Sequence, residues 1–210
     1  MMNRYFLGTV TPLIALWIVL AIDCPSASAQ VRGAEIGGQV DVLRLSEFDL
    51  TDVGVGVHFM WPLTPVLAID GAFTWFPGAG DGEAEPLKRQ QRALGLAGVR
   101  RTVVTFGDVE FFARARAGFL RFREREPAVC IAILPAPLGC QLAGGYTAFA
   151  ADLGGGVEVG ASQTGRLVVR IEAGDLLVRY GLKASRPKAE LTDGFIGHNP
   201  LVTVGLTWRL

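Results

Sequence analysis

The chain has 210 residues, and 20 basic residues balance 20 acidic residues, so its formal net charge is zero. A protein without a basic field does not attract nucleic acid, and we therefore exclude a nucleic-acid partner. Half of the residues are hydrophobic and the mean hydropathy is +0.36, yet no apolar run beyond residue 30 reaches the length of a membrane-spanning helix. This composition favours alternating strands over long apolar helices.

Residues 1–29 have the pattern of a cleavable signal peptide. Arg4 supplies a positive charge, an apolar segment follows from Leu13 to Ile22, and small residues occupy Ala27 and Ala29. The apolar segment is short for a membrane span. We predict cleavage before Gln30, which leaves residues 30–210, roughly 180 residues, as one domain.

Eight segments of this domain alternate apolar and polar residues, which is the period-two pattern of β-strands. The predicted strands cover residues 35–45, 53–61, 66–76, 91–104, 109–123, 146–160, 166–180 and 198–210.

Two of the strands need an assignment of faces. In the fourth strand Leu94 and Leu96 oppose Ala93, Gly95 and Ala97, and we predict that the three small residues face inward. In the seventh strand Asp175 breaks the apolar register, which predicts a β-bulge near Gly174.

The connections alternate in length. Those after the second, fourth and sixth strands are short, whereas residues 77–88, 124–145 and 181–197 form long loops. Outer-membrane barrels carry short turns in the periplasm and long loops outside, and an even number of strands closes the sheet. The sequence therefore predicts an all-β fold, an eight-stranded antiparallel up-and-down transmembrane β-barrel.

Aromatic residues on the outward face fall near the two ends of the predicted strands, as two membrane-interface girdles require. The girdle residues are Trp61, Phe111 and Trp208 at the periplasmic end, and Trp75, Phe119 and Tyr180 at the outer end.

Charged residues face the predicted lumen near mid-membrane, and acids and bases nearly cancel. This lumen salt-bridge network comprises Asp41, Asp70, Asp152, Glu172, Arg114, Arg116 and Arg170. Eight strands enclose only enough room for side chains, so we predict a plugged polar lumen. Counting from strand midpoints places Asp152 opposite Arg116.

Cys130 and Cys140 are the two cysteines that remain after cleavage. Their even number and the oxidising compartment reached by a signal peptide predict a disulfide in the third outer loop.

A catalytic role has little support in the sequence. His58 and His198 are the only histidines, and neither has a serine within two residues. Hydrolytic triads pair histidine with serine and an acid, so we predict no enzyme activity, no metal site and no cofactor. A narrow solute pore, a lipid-modifying enzyme and a soluble periplasmic barrel for apolar ligands remain as alternatives.

The segments Ala68–Gly71, Gly154–Gly156 and Val204–Leu210 carry a resemblance over residues 31–210. The chain resembles the outer-membrane protein β-barrel domain family, the small OmpA/OmpX-like barrels of the "porin family". The resemblance implies an outer-membrane location in a Gram-negative bacterium and a structural or surface-interaction role. It also implies contact with membrane lipids and lipopolysaccharide, recognition of the terminal strand by the barrel-assembly machinery, and a monomer.

Overall fold

The computed structural model describes residues 33–78, 90–123, 145–161, 166–180 and 195–210. Eight antiparallel strands form one closed barrel, in which each strand pairs with its neighbours in sequence and the last pairs with the first. The strands are β1 (Glu35–Leu45), β2 (Leu50–Pro62), β3 (Leu67–Phe76), β4 (Arg92–Phe106), β5 (Val109–Phe122), β6 (Tyr146–Gly160), β7 (Leu167–Tyr180) and β8 (Phe195–Arg209).

The predicted all-β, eight-stranded antiparallel barrel is therefore confirmed. The predicted signal peptide and the predicted disulfide between Cys130 and Cys140 lie outside the described residues, and both remain predictions.

Alternation of residue types explains why these segments form strands. In β2, Val53, Val55 and Val57 are each more than half exposed on the outer surface, whereas Asp52 and His58 are buried inside. Branched side chains favour the extended backbone, and a strand directs successive side chains to opposite faces. The barrel is thus apolar outside and holds many of its polar side chains inside.

The register of strand pairing is staggered around the closed barrel. A row of directly opposed residues that starts at Glu35 passes through Asp70 and Asp152 and reaches Asn199 on β8. Continuing the β8–β1 register brings this row to Leu45, ten residues along β1 from its start. Such a stagger accompanies strands that tilt by about 35–45°, and a barrel of this size is just wide enough for side chains to fill.

The two ends of the barrel differ in their connections. At the end that we name the turn end, short links join β2 to β3, β4 to β5 and β6 to β7. The tight turn after β4 uses Gly107 at φ +57°, a conformation that suits glycine. At the opposite end, the loop end, a 3-10 helix (Ser46–Phe48) joins β1 to β2. No helix within the described residues is long and apolar enough to cross a membrane.

The structure corrects two details of the strands. The register of β7 with both neighbours is continuous through Gly174 and Asp175, so the predicted bulge there is wrong. A register shift lies instead between Thr102 and Val104 in β4. In addition, β8 begins at Phe195, within the segment that was predicted to be a loop.

Candidate functional site

The interior of the barrel is the candidate functional site, and it has two halves of different chemistry. Inward side chains near the turn end and at the centre are mostly charged or polar, and we name this region the polar half. Inward side chains near the loop end are mostly aliphatic or aromatic, and we name this region the apolar half.

Asp152 lies at the centre of the polar half. Its Oδ2 accepts hydrogen bonds from Arg114 Nε at 2.8 Å and from Arg116 Nε at 3.0 Å. Arg116 and Asp152 are directly opposed in the β5–β6 register, and Arg114 lies two residues along β5 on the same face. The two guanidinium groups therefore converge on one carboxylate, and the three side chains are fully or almost fully buried.

Glu172 joins this centre to β7. Its carboxylate forms ion pairs with Arg114 and with Arg170, whose Nε lies 3.2 Å from Glu172 Oε1. Arg116 also approaches Asp70, with 3.8 Å between Nη1 and Oδ2. Buried charges are tolerated where opposite charges and hydrogen bonds surround them, as they do here.

His58 also belongs to the centre. Its Nε2 lies 3.0 Å from Asp70 Oδ1 and contacts the guanidinium of Arg170. Arg170 Nη2 in turn donates to Gln39 Oε1 at 3.1 Å. The imidazole is thereby held between an acid and a base within the ion-pair network.

Asp41 is bound mainly by neutral groups. Gln39 Nε2 donates to Asp41 Oδ2 at 2.8 Å, and the hydroxyls of Thr74 and Thr203 donate to the same carboxylate. Asp41 was one of the seven predicted network residues. It is connected to the other six through Gln39, which bonds both Asp41 and Arg170, rather than through an ion pair with an arginine.

A second ion-pair cluster at the turn end was not assigned from the sequence. Arg100 binds Glu158 and Glu110, with 3.2 Å between its Nη2 and Glu110 Oε1. Arg209 Nε donates to Glu35 Oε1 at 2.6 Å. Glu110 and Glu158 share the faces of Arg114 and Asp152 on β5 and β6, so alternation is a sequence signal for both glutamates. Arg100 was missed because the faces of β4 were assigned the wrong way round.

The apolar half overturns that assignment of β4. Leu94 and Leu96 face inward and are buried, together with Arg92 and Arg100 on the same face, whereas Ala93 and Ala97 face outward. Gly95 also points outward, beneath the ring of Phe119. The prediction that the three small residues face inward is therefore wrong, because the lumen beside this part of β4 is filled by hydrocarbon side chains.

Aromatic rings line the apolar half. Phe122 stacks on Tyr146 with 4.4 Å between centroids, and Tyr180 stacks on Phe195 at 5.0 Å. Tyr180 is 0% exposed, so its predicted place in the outer girdle is wrong. One ion pair, between Arg92 and Asp52, is buried among these groups.

The other predicted girdle residues lie on the outer surface. Trp61, Phe111 and Trp208 are about half exposed near the turn end, and Phe119 and Trp75 lie nearer the loop end. The outer face also carries His198, whose Nδ1 lies 2.6 Å from Asp175 Oδ2.

One small cavity lies at the turn end. A cavity of about 20 Å³ lies at the turn end between Met60, Ala68, Arg100 and Glu110. This volume is enough for about one water molecule. Within the described residues no cluster of three or more potential metal ligands occurs.

No protein-family model matches the chain, and no curated protein matches it in sequence. Solved structures do match. The crystal structure of Neisserial surface protein A (NspA) has a TM-score of 0.55 at 9% identity, covering 88% of this chain and 100% of that one. The solid-state NMR structure of AlkL in lipid bilayers has a TM-score of 0.44 at 9% identity, with 89% and 94% covered. Ail of Yersinia pestis has a TM-score of 0.41 at 12% identity, with 85% and 97% covered.

The chain therefore has the fold of the small eight-stranded outer-membrane barrels, the class of protein that its sequence resembles. Within that class, the backbone of NspA can be superposed on this chain over the whole length of NspA. At identities this low, the likeness concerns the fold alone.

Proposed function

We propose that the protein is a small outer-membrane β-barrel with a structural or surface-interaction role, and that its own side chains close its lumen. The ion-paired centre carries this proposal. Arg114, Arg116, Arg170, Asp152 and Glu172 extend into the interior from three adjacent strands, and their side chains are at most 1% exposed. A barrel filled in this way leaves no open path for a solute.

The outer surface supports a membrane location over the soluble alternative. Valine side chains on β1, β2 and β8 are about 40–60% exposed, and exposed tryptophans lie near the turn end. Soluble proteins rarely expose contiguous apolar surface on this scale, whereas lipid-facing strands require it. By the rule for turn lengths, the turn end lies in the periplasm.

The network also argues against the other two alternatives. A solute pore needs an open lumen, and the charged groups here are used in binding one another. A hydrolase needs a nucleophile beside its histidine, whereas the side chains bonded to His58 Nε2 are Asp70 and Arg170. We propose no enzymatic activity. Membrane lipids, lipopolysaccharide and the barrel-assembly machinery, which would recognise β8, are the proposed partners of a monomer.

Electrophoresis and planar-bilayer recording test the proposal together. We expect the folded protein to migrate differently before and after heating, and to give no steady conductance of porin size in the bilayer. A porin of known conductance, reconstituted in parallel, shows that the recording detects open barrels. Steady porin-like conductance would refute the closed lumen.

Quenching of tryptophan fluorescence tests the membrane location separately. Trp61, Trp75 and Trp208 should be quenched by brominated lipids at depths near the two interfaces. Quenching of all three by aqueous iodide and none by lipid would show that the barrel is soluble.

A further inference from the structure

Arginines collect on the outer surface at the loop end. Three of them, Arg44, Arg121 and Arg179, occupy outward positions near the ends of their strands, and Arg123 directly follows β5. All four are exposed. The charge lies just beyond the apolar band, where headgroups would meet the barrel.

Two of these arginines lie on the strands on either side of β6, which carries an exposed phenylalanine. Arg121 on β5 is opposed to Thr147, and Arg179 on β7 is opposed to Phe149, so β6 lies between them. Two strand spacings separate β5 from β7 by about 10 Å. Phe149 is 57% exposed and points outward from the intervening strand. Arg179 thus lies directly beside Phe149, whereas Arg121 lies two residues closer to the loop end than Phe119, the β5 residue that opposes Phe149.

Arg121 and Arg179 have no acidic partner among the described residues. The lumen arginines of β5 and β7 each contact a carboxylate, and Arg44 pairs with Asp49 at 3.3 Å. Asp175 is outward on β7 as well, but it lies four residues from Arg179, about 13 Å along the strand. Asp175 is paired with His198. Within the part of the chain that the structure describes, neither guanidinium group is therefore engaged in an ion pair.

The surface on the turn-end side of these arginines carries small residues. Ala117 on β5 is directly opposed to Ala151 on β6, and Ala115 is opposed to Leu153, which is 41% exposed. Phe119 and Phe149 oppose each other at the upper edge of this alanine face. Small residues bordered by rings leave room for an extended hydrocarbon chain to lie against the strands.

We propose that Arg121, Phe149 and Arg179 form a docking site for the phosphate-bearing headgroup of an anionic lipid, with an acyl chain over the alanine face. Guanidinium groups bind phosphate oxygens in paired hydrogen bonds, and the strands on either side of β6 each carry one exposed arginine that can donate them. This proposal depends on the proposed membrane location, and it assigns selection of the lipid to these three residues.

Native mass spectrometry of the folded, mature chain in detergent tests the site, with diphosphoryl lipid A as the anionic probe. The double variant Arg121→Gln/Arg179→Gln should bind this lipid about 30-fold more weakly, since each arginine near a charged lipid surface contributes about a fivefold factor. Arg121→Lys/Arg179→Lys keeps the charge but loses the paired hydrogen bonds, so its affinity should fall between those of the wild type and the glutamine variant. Dephosphorylated lipid A should bind wild type and the glutamine variant alike.

A matched control removes the same charge elsewhere. Arg44→Gln/Arg166→Gln neutralises two exposed arginines, one already paired with Asp49 and one at the turn end, and should bind lipid A nearly as wild type does. Equal losses in both double variants would overturn the site in favour of general charge attraction. Displacement of the lipid by inorganic phosphate would overturn the role of the acyl chain.

Folding is checked in each variant by heat-dependent gel mobility. If the wild-type protein showed no such shift, the proposed membrane barrel itself would fail. A wild-type protein that shifts on heating, yet binds lipid A no better than the double glutamine variant does, would overturn the docking site alone.

Discussion

The polar and apolar halves fill one barrel by different means. In the polar half, Arg114 and Arg116 share the carboxylate of Asp152, to which they donate hydrogen bonds of 2.8 and 3.0 Å. In the apolar half, Leu43, Leu120 and Leu176 are completely buried among other hydrocarbon side chains. An ion pair is sensitive to the loss of either partner, whereas a hydrocarbon contact is lost in proportion to the volume removed. The two halves should therefore respond differently to substitution.

Asp152→Ala should have the largest effect, lowering the free energy of unfolding by about 4 kcal/mol. The substitution leaves two buried guanidinium groups that have lost a shared counter-ion. Urea unfolding in lipid vesicles, followed by tryptophan fluorescence, measures the change. Asp175→Ala, on the outer surface, is the matched control and should cost less than about 1 kcal/mol. Equal effects at the two positions would show that the central network is not critical.

Leu120→Ala should come next, at about 3 kcal/mol, because it opens a cavity in the apolar half. The volume-conserving control Leu120→Met should cost less than about 1.5 kcal/mol. The same unfolding measurement applies. A methionine variant as unstable as the alanine variant would mean that shape rather than volume matters at this position.

Phe112→Leu tests whether a contact between a cation and an aromatic ring also stabilises the polar half. The guanidinium carbon of Arg100 lies 3.8 Å from the centroid of the Phe112 ring, so the leucine variant loses a cation–π contact of about 1–2 kcal/mol. A double-mutant cycle with Arg100→Met isolates this coupling from the change of shape. Strict additivity of the two substitutions would rule out the contact as a source of stability.

Gly95→Ala should have the smallest effect, about 0.5–1 kcal/mol. A Cβ at this position would lie 2.7 Å from the ring of Phe119, which must move aside on the outer surface. In a Phe119→Ala background the same substitution should cost nothing measurable. A cost that persists without the ring would locate the conflict in the backbone.

Alternation along the chain was sufficient to predict the closed antiparallel barrel and the approximate extent of each strand. It also identified the charged lumen residues, because each lies on the strand face opposite the apolar one. These residues are Asp70, Arg114, Arg116, Asp152 and Glu172. Charge is costly against lipid, so such residues are strong evidence of the inward face.

The apolar half could not be predicted by the same rule. Leu94, Leu96 and Tyr180 are as hydrophobic as lipid-facing residues, and they face inward because the interior near the loop end is itself apolar. The reverse occurred at Asp175, whose acidic side chain faces outward in an unbroken register and is paired with His198. In both cases, the face on which a side chain lies depends on its neighbours in other strands. The alternation within a single strand does not reveal those neighbours.

Closure of the sheet makes the first and last strands neighbours. Arg209 donates to Glu35 across 174 residues of sequence, and β8 pairs with both β1 and β7. Until β8 has formed, the edges of β1 and β7 expose unpaired backbone groups, which invite aggregation. Contacts between such distant segments also form slowly. A nascent chain must consequently be protected until its final strand has been synthesised, and completion of the barrel is the event that ends its exposure.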